Sequence, residues 1–390
     1  MNIVWCVIRI SKLHQPLESY LDDIMSKVYF AGLRADGQST NIPSKIQRLL
    51  EASQLNSVFT EGDLVAVKTH LGEPGSTTFL RPQYISPIVD MIHRKGGRPF
   101  LTDCNTLYLG GRSNAVDHLN AAIRHGFTYP VIDAPIIIAD GLLGMDEIEV
   151  EVGLKHCRTV KFGTAAQQAS SIIVVSHFKG HLMTGFGGAL KNLGMGFGSR
   201  SGKLEMHKLA HPTVNQEICT GCGSCATSCP QSAISIVKKA QIQEAKCIGC
   251  GECWVACPTD AIGPQDPKSL IDIQEKIVEY CYGIVKGKIG NIGYMTFVVD
   301  VTPHCDCAPW SDSPIVPDIG ILASLDPVAI DQAAADLVNK SRGLEGTKLK
   351  HHHSPGDDKI RAIANIDWTA QLRYAEELGL GSRAYELIKL

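Results

Sequence analysis

Fourteen cysteines occur in this 390-residue chain, and eight of them fall between Cys219 and Pro258 in two copies of one spacing. The first copy reads Cys219-x-x-Cys222-x-x-Cys225-x-x-x-Cys229-Pro230, and the second Cys247-x-x-Cys250-x-x-Cys253-x-x-x-Cys257-Pro258. Three closely spaced thiolates and a fourth before proline are the arrangement that holds paired 4Fe-4S clusters, the fourth cysteine of each run serving the other cluster. The spacing assigns Cys219, Cys222, Cys225 and Cys257 to one cluster and Cys247, Cys250, Cys253 and Cys229 to its partner. Two-residue gaps let a tight turn aim successive sulfurs at one cube, and Gly221, Gly223, Gly249 and Gly251 permit the backbone to come close to it. Two zinc sites or a disulfide framework are the competing readings. Zinc favours four thiolates drawn from two separated Cys-x-x-Cys pairs, which two runs of four ending in Cys-Pro fit poorly.

This stretch resembles the two-cluster bacterial ferredoxin module over its whole length, including the apolar segments 233–237 and 261–262 that follow each run. The module takes up about fifty residues, so the rest of the chain must build its own core. From Lys27 onward the pattern alternates strands and helices. Strands are expected at 28–33, 64–68, 100–102, 136–139, 148–152, 172–175 and 295–301. A helix over 44–55 follows Pro43, one over 84–95 stops at Gly96, and one capped by Ser113 carries Val116, Leu119 and Ile123 on its apolar face. A glycine-rich loop is expected from Gly185 to Gly202, an amphipathic helix at 270–286, and a helix opened by Asp326-Pro327 and running to about Asn339. Alternation of this kind implies an α/β fold, a mostly parallel sheet with helices on both faces, carrying the ferredoxin-like α+β module as an insertion. The expected organisation is an α/β domain at 25–211 and 264–390 with the module at 212–263. Residues 1–24 fit this pattern badly and read as an uncertain N-terminal extension, with Met25 as a candidate natural start.

In open parallel sheets ligands bind beyond the carboxyl ends of the strands. Polar groups gather at five such ends: Arg34; Lys68, Thr69 and His70; Asp103, Cys104 and Asn105; Ser176, His177 and Lys179; and His304, Cys305, Asp306 and Cys307. The glycines around Gly187 and Gly188 could free backbone N–H groups to face an anion, with Lys191 adding charge, or could form a turn packed against the clusters. The stretch matches neither the dinucleotide fingerprint nor the P-loop. Lys68, His70, Lys179, Gly187 and Gly188 are candidate cofactor-binding positions. His177, His181, Lys191, Cys305 and Cys307 are candidates for the chemistry itself. His177 and His181 could ligate a metal, bond a substrate or transfer a proton, or be packed and satisfied. Cys305 and Cys307 lie too close for an unstrained disulfide, leaving metal ligation, a reactive thiolate pair or two small buried residues. The run His351–His353 reads as a solvated loop, and Cys6, Cys157 and Cys281 as isolated core or surface residues.

These segments together resemble the domain-of-unknown-function 362 family in the form that carries a ferredoxin insertion. The resemblance rests on KVYFAGLRA from Lys27, VAVKTHLGEPG from Val65, PFLTDCNTLYLGGRSNAVDH from Pro99, SHFKGHLMTGFGGALKNLGMGFGSRSGK from Ser176, HCDC at His304 and DIGILASLDPVAID from Asp318. It implies a cytoplasmic iron-sulfur protein and supplies no reaction. Cys104 stands where threonine is more usual, so the family pattern implies no required thiol there.

A net charge of −3 gives no electrostatic case for nucleic acid or a membrane surface. No apolar stretch approaches the ~20 residues needed to cross a bilayer. Six cysteines beyond the cluster set fit a reducing compartment, and the cytoplasm is the expected location. The leading functional expectation is an oxidoreductase, or a subunit of one, taking electrons from a soluble carrier protein through two 4Fe-4S clusters to an anionic ligand or further small-molecule cofactor on the α/β domain. A non-catalytic electron carrier or redox sensor docking on a partner enzyme is the alternative, and a metal or cluster-handling role for Cys305 and Cys307 a third.

Overall fold

The computed structural model describes residues 25–208 and 211–390. The expectations for the extension over 1–24, including Cys6, lie outside the described residues. Eight strands form one sheet: β1 (Ser26–Gly32), β2 (Leu64–Lys68), β3 (Arg98–Asp103), β4 (Ile136–Ile138), β5 (Ser171–His177), β6 (Ile292–Val298), β7 (Gly320–Ser324) and β8 (Tyr385–Lys389). Their spatial order is β8-β1-β7-β6-β5-β2-β3-β4, and only β7 runs against the others. The sheet is therefore mostly parallel, as the alternating pattern predicts.

Parallel strands covered on both faces read as continuous apolar runs rather than alternating ones, and the central pair obeys this. Every residue of β5, SIIVVSH, and of β6, IGYMTFV, is buried. Alternate side chains feed opposite layers. Ile173, Val175, Met295 and Phe297 meet Ile46, Leu49, Ile85 and Ile88 of the helices α1 (Ile42–Ala52) and α2 (Pro82–Arg94). On the other face, Ile172, Val174 and Tyr294 meet α3 (Ala189–Phe197), α4 (Lys268–Lys286) and α5 (Pro327–Lys340). Helix starts follow the side chains that can satisfy free N–H groups. Asn41 accepts from Ser44 N at 2.9 Å for α1, and Asp326 accepts from Val328 N and Ala329 N at 2.8 and 2.9 Å for α5.

Three expectations are corrected. The strand near Ile148 does form, at Glu147–Glu151, but it pairs with Thr159–Gly163 as a separate hairpin outside the main sheet. The helix over Ala115–Arg124 is capped by Asn114 rather than Ser113, and it leaves Val116 and Ile123 exposed while burying His118, Ala121 and Ala122. The glycine-rich stretch 185–202 is mostly helical: a short strand at Gly185–Gly187, then α3, then a helix at Arg200–His207. Its glycines serve close approach more than turning, since a Cβ at Gly194 would stand 2.2 Å from the Ile277 carbonyl oxygen of α4.

Between the helix at Arg200–His207 and α4 lies the cysteine-rich segment. Strands at Pro212–Val214 and Ile262–Pro264 pair antiparallel where it leaves and rejoins the α/β body. Between them a second hairpin pairs Ile234–Val237 with Lys239–Ile242, and one-turn helices sit at Ser224–Thr227 and Glu252–Val255. The core of this segment is small, made of Cys225, Ile234, Ala240, Cys253 and Ile262. Trp254 packs against both this cluster and the main core.

Candidate functional site

The chain runs outward from β2 to β3 and β4, then returns to place β5 on the other side of β2. The carboxyl ends of β2 and β5 therefore flank a point where the chain's direction across the sheet reverses, the position at which open α/β sheets bind ligands. A cavity of about 150 Å³ lies there. Lys68 and His70 after β2, Asp103 and Cys104 at β3, Lys179 and His181 after β5, and His304, Cys305 and Cys307 after β6 all line it. Gly187, Gly188, Lys191 and Asn192 from the start of α3 complete the expected set.

Other expected positions fall elsewhere. Arg34 is exposed at the end of β1, which two strands separate from β5, and Asn105 is turned into a buried bond with Asp140 at 2.9 Å. His177 is buried behind the cavity, its Nδ1 2.8 Å from Asp306 Oδ2 and its Nε2 2.8 Å from the Val299 carbonyl oxygen. Both ring nitrogens are taken, so His177 acts by holding Asp306, which in turn pairs with Lys179 Nζ at 2.9 Å. His351 and His352 are exposed, as a solvated loop requires. Cys157 and Cys281 are buried core residues.

The cavity is cationic. Lys68, Arg112, Lys179, Lys191 and Lys203 line it, against the carboxylates of Asp103 and Glu252. Lys68 Nζ bonds Asp103 Oδ1 at 2.9 Å and Asn192 Oδ1 at 2.8 Å. Burial alone would raise the Asp103 carboxyl, but Lys68, His118, His70 and Arg112 outweigh it and hold it well below the usual carboxylate range. Burial lowers Lys68, with Asp103 opposing. Arg112 Nε bonds Glu73 Oε2 at 2.9 Å, and Tyr108 Oη donates to the same oxygen at 3.1 Å, anchoring that wall. Lys191 makes no ion pair among the described residues, which leaves its ammonium for a ligand. Gly187 and Gly188 stay on the cavity wall, while the next two N–H groups, Ala189 N and Leu190 N at the start of α3, donate to the buried Asp331 at 2.6 and 2.9 Å and are not free for a ligand.

His181, Cys305 and Cys307 converge from two loops. Their ligand atoms all lie within 4.8 Å of one another. An S–H···S bond from Cys307 pulls the Cys305 thiol well below its usual range; burial opposes this, while Lys191 and Lys179 add to it. Burial, with Lys191 and His207 nearby, holds His181 far below its usual value, so its ring is neutral. The hairpin that carries His181 lies tightly on the Cys305 loop, and a Cβ at Gly180 would stand 2.5 Å from the Pro303 carbonyl oxygen.

The cysteine-rich segment brings its eight thiols together in crossed quartets. One small cavity is lined by Cys219, Cys222, Cys225 and Cys257, and another by Cys229, Cys247, Cys250 and Cys253. All eight are free thiols. Gly221, Gly223, Gly249 and Gly251 all have positive φ, between +70° and +87°, which only glycine adopts without strain. Backbone N–H groups of Ala233, Gly249 and Ala261 reach Cys229, Cys247 and Cys257 Sγ at 3.3, 3.4 and 3.2 Å. Four sulfurs around each void, with amide donors aimed at the sulfurs, fit a thiolate-held metal cluster. The second quartet adjoins the α/β cavity, where Cys250, Gly251, Glu252, Trp254 and Val255 form one wall. That wall, together with Arg112, Lys203 and His207, is what sequence reasoning missed. The only signal for it was that the segment's two ends are tied near the glycine-rich stretch.

Fold and site define an α/β protein with a switch-point cavity closed on one side by a cysteine-rich insertion. The chain belongs to the family described as Domain of unknown function (DUF362), which matches residues 65–336. Among solved structures it is similar to the lactate racemase apoprotein from Thermoanaerobacterium thermosaccharolyticum, at 14% identity and a TM-score of 0.39, covering 71% of this chain and 51% of that one. It is also similar to a protein from Thermotoga maritima, at 9% identity and a TM-score of 0.35, covering 88% of this chain and 61% of that one. The chain thus spans about half of the first and three fifths of the second. No curated protein matches it. Among the described residues no helix is long and apolar enough to cross a membrane.

Proposed function

We propose that this chain is an iron-sulfur electron-transfer protein, an oxidoreductase or a subunit of one, that links a soluble redox partner protein to an anionic ligand in the switch-point cavity. Two 4Fe-4S clusters in the crossed cysteine quartets would supply single-electron exchange. The observation that carries the reading is Cys250, which belongs to the second quartet and also lines the cavity beside Lys179 and Lys191. The first quartet includes the exposed Cys222 and faces outward, the side a protein partner can reach. Lys191, Lys179 and Lys203 attract and orient an anion, the Asp103–Lys68 pair fixes one wall, and Trp254 with Ile273 and Ile277 excludes water on the other.

The test is anaerobic purification with iron and labile-sulfide analysis, spin-resonance spectra after reduction, and identification of small molecules released on denaturation. About eight irons and eight sulfides per chain, with paired-cluster spectra, are expected. Cys250→Ala should lose the inner cluster's signal, and Lys191→Ala should keep both clusters while releasing less bound anion. Protein without labile sulfide, or with zinc filling the quartets, overturns the reading. Clusters present with a ligand-free cavity under every condition would favour the plain electron carrier instead.

A further inference from the structure

The crossed quartets account for eight of the cysteines that line voids, yet two more thiols meet a histidine in the larger cavity. We infer that His181, Cys305 and Cys307 hold a thiophilic divalent transition-metal ion, zinc or ferrous iron, whose fourth position opens into the cavity. This deepens the proposed function, resting on the same reading of the cavity as the ligand site.

One imidazole nitrogen and two sulfurs, all within 4.8 Å of one another, make a set that such ions prefer over hard cations. Three protein ligands with one position left to solvent or substrate is the pattern of reactive rather than purely structural sites. Among the described residues no fourth ligand atom joins the set. His304, beside Cys305, keeps its Nδ1 buried without a partner and its ring edge-on to Trp310, with centroids 6.5 Å apart. The ligands come from rigid positions. Cys305 and Cys307 flank Asp306, which is fixed by His177 and Lys179 at 2.8 and 2.9 Å and whose carbonyl oxygen accepts from Glu73 N at 2.9 Å. His181 ends a strand whose partner, Gly185–Gly187, leads directly into α3 and Lys191.

Charge also fits. Two thiolates neutralise a divalent ion and Asp306 neutralises Lys179, so Lys191, which has no ion pair among the described residues, remains for an anionic group that reaches the open position. The ligand class implied is a small carboxylate or phosphate bearing an oxygen or sulfur donor able to bind the metal. His181 Nδ1 accepts weakly from Met183 N at 3.2 Å, a bond that gives way when the ring ligates an ion, either through Nδ1 itself or through Nε2 with the proton on Nδ1; Met183 in turn covers Gly251, where a Cβ would stand 2.0 Å from Met183 Cε. The metal site and the second cysteine run are thus joined through one side chain.

The experiment uses anaerobically purified full-length protein, with metals measured by mass spectrometry and clusters counted by labile sulfide, before and after equilibration with zinc. The wild type is expected to hold about one metal beyond the iron that matches its sulfide, or to take up about one zinc. That metal should be missing from Cys305→Ser/Cys307→Ser, and weakened at least tenfold in His181→Ala, with labile sulfide unchanged in His181→Ala. Absorption at the zinc edge should report sulfur and nitrogen neighbours. A wild type with no metal beyond its clusters and no zinc uptake overturns the inference, as does equal uptake by the variants. Absent sulfide with Cys305-dependent zinc would overturn the cluster reading and leave this site standing.

Discussion

At the scale of single residues, the site is held by charges that cannot be removed singly. Breaking a buried pair by deleting one partner typically costs ~3–5 kcal/mol, because the other charge stays behind unpaired. Asp103→Asn should therefore lower the melting temperature clearly, since Lys68 would keep its burial and lose its carboxylate. The pH sign follows from the depressed carboxyl. A folded-state pKa below the unfolded value of ~3.9 gives stability that is present above that value and lost as pH falls toward the folded one. The acid limb of the wild-type stability curve should be steeper than that of Asp103→Asn, and equal limbs would refute the pairing. His177→Ala should destabilise the protein and, by loosening Asp306 and its partner Lys179, reduce any anion released from the cavity on denaturation, measured on the same anaerobic preparation. The residue types at the site were legible because polar groups after apolar runs stand out. Which of them face the cavity was not. His177 and Lys179 are two apart on one extended segment, and only the Asp306 loop decides that the histidine turns inward.

Among the elements, amphipathic spacing located α1, α2 and α4 to within a few residues, because one buried face per helix writes itself into the sequence, and the Asp326-Pro327 cap located α5, which is buried nearly all round. Two signals misled. Glycine disfavours helices by ~1 kcal/mol each, so a stretch with Gly194 and Gly196 reads as a loop. Packing overrides this, because Gly194 lets α3 lie against the Ile277 carbonyl oxygen and Gly196 leaves room for Lys68 Nζ. The helix at Ala115–Arg124 misled in the opposite way, since Val116 and Ile123 look like a core face and point to solvent. Gly194→Ala should force α3 and α4 apart, costing ~1–3 kcal/mol in thermal denaturation. An unchanged melting temperature would show that the contact relaxes freely.

Across the whole molecule, the two quartets differ in setting. Cys222 of the first is exposed, whereas Cys250 of the second borders the cavity and Cys253 is buried. If the quartets hold the proposed clusters, stepwise addition of ferricyanide under anaerobic conditions should degrade the one at the first quartet before the one at the second. Spin-resonance signals lost in parallel would contradict that order. The crossing of the fourth cysteines was legible from the likeness of the two runs to a ferredoxin module, and each crossed quartet lines one void. The insertion's contact with the cavity was not, because that contact depends on how a one-turn helix and Trp254 settle against α4, and no local pattern encodes such docking. The strands at Pro212–Val214 and Ile262–Pro264 lie side by side, and Gln265 N donates to the His211 carbonyl oxygen at 2.9 Å. Departure and return of the inserted segment thus share one clasp, and the host's chain path would close across it with a short bridge. Among the described residues no strand of the inserted segment belongs to the eight-stranded sheet, so the scaffold's strand order does not pass through it. A host stripped of it would keep its sheet and lysines and stand open to water on the flank that Trp254 now shuts.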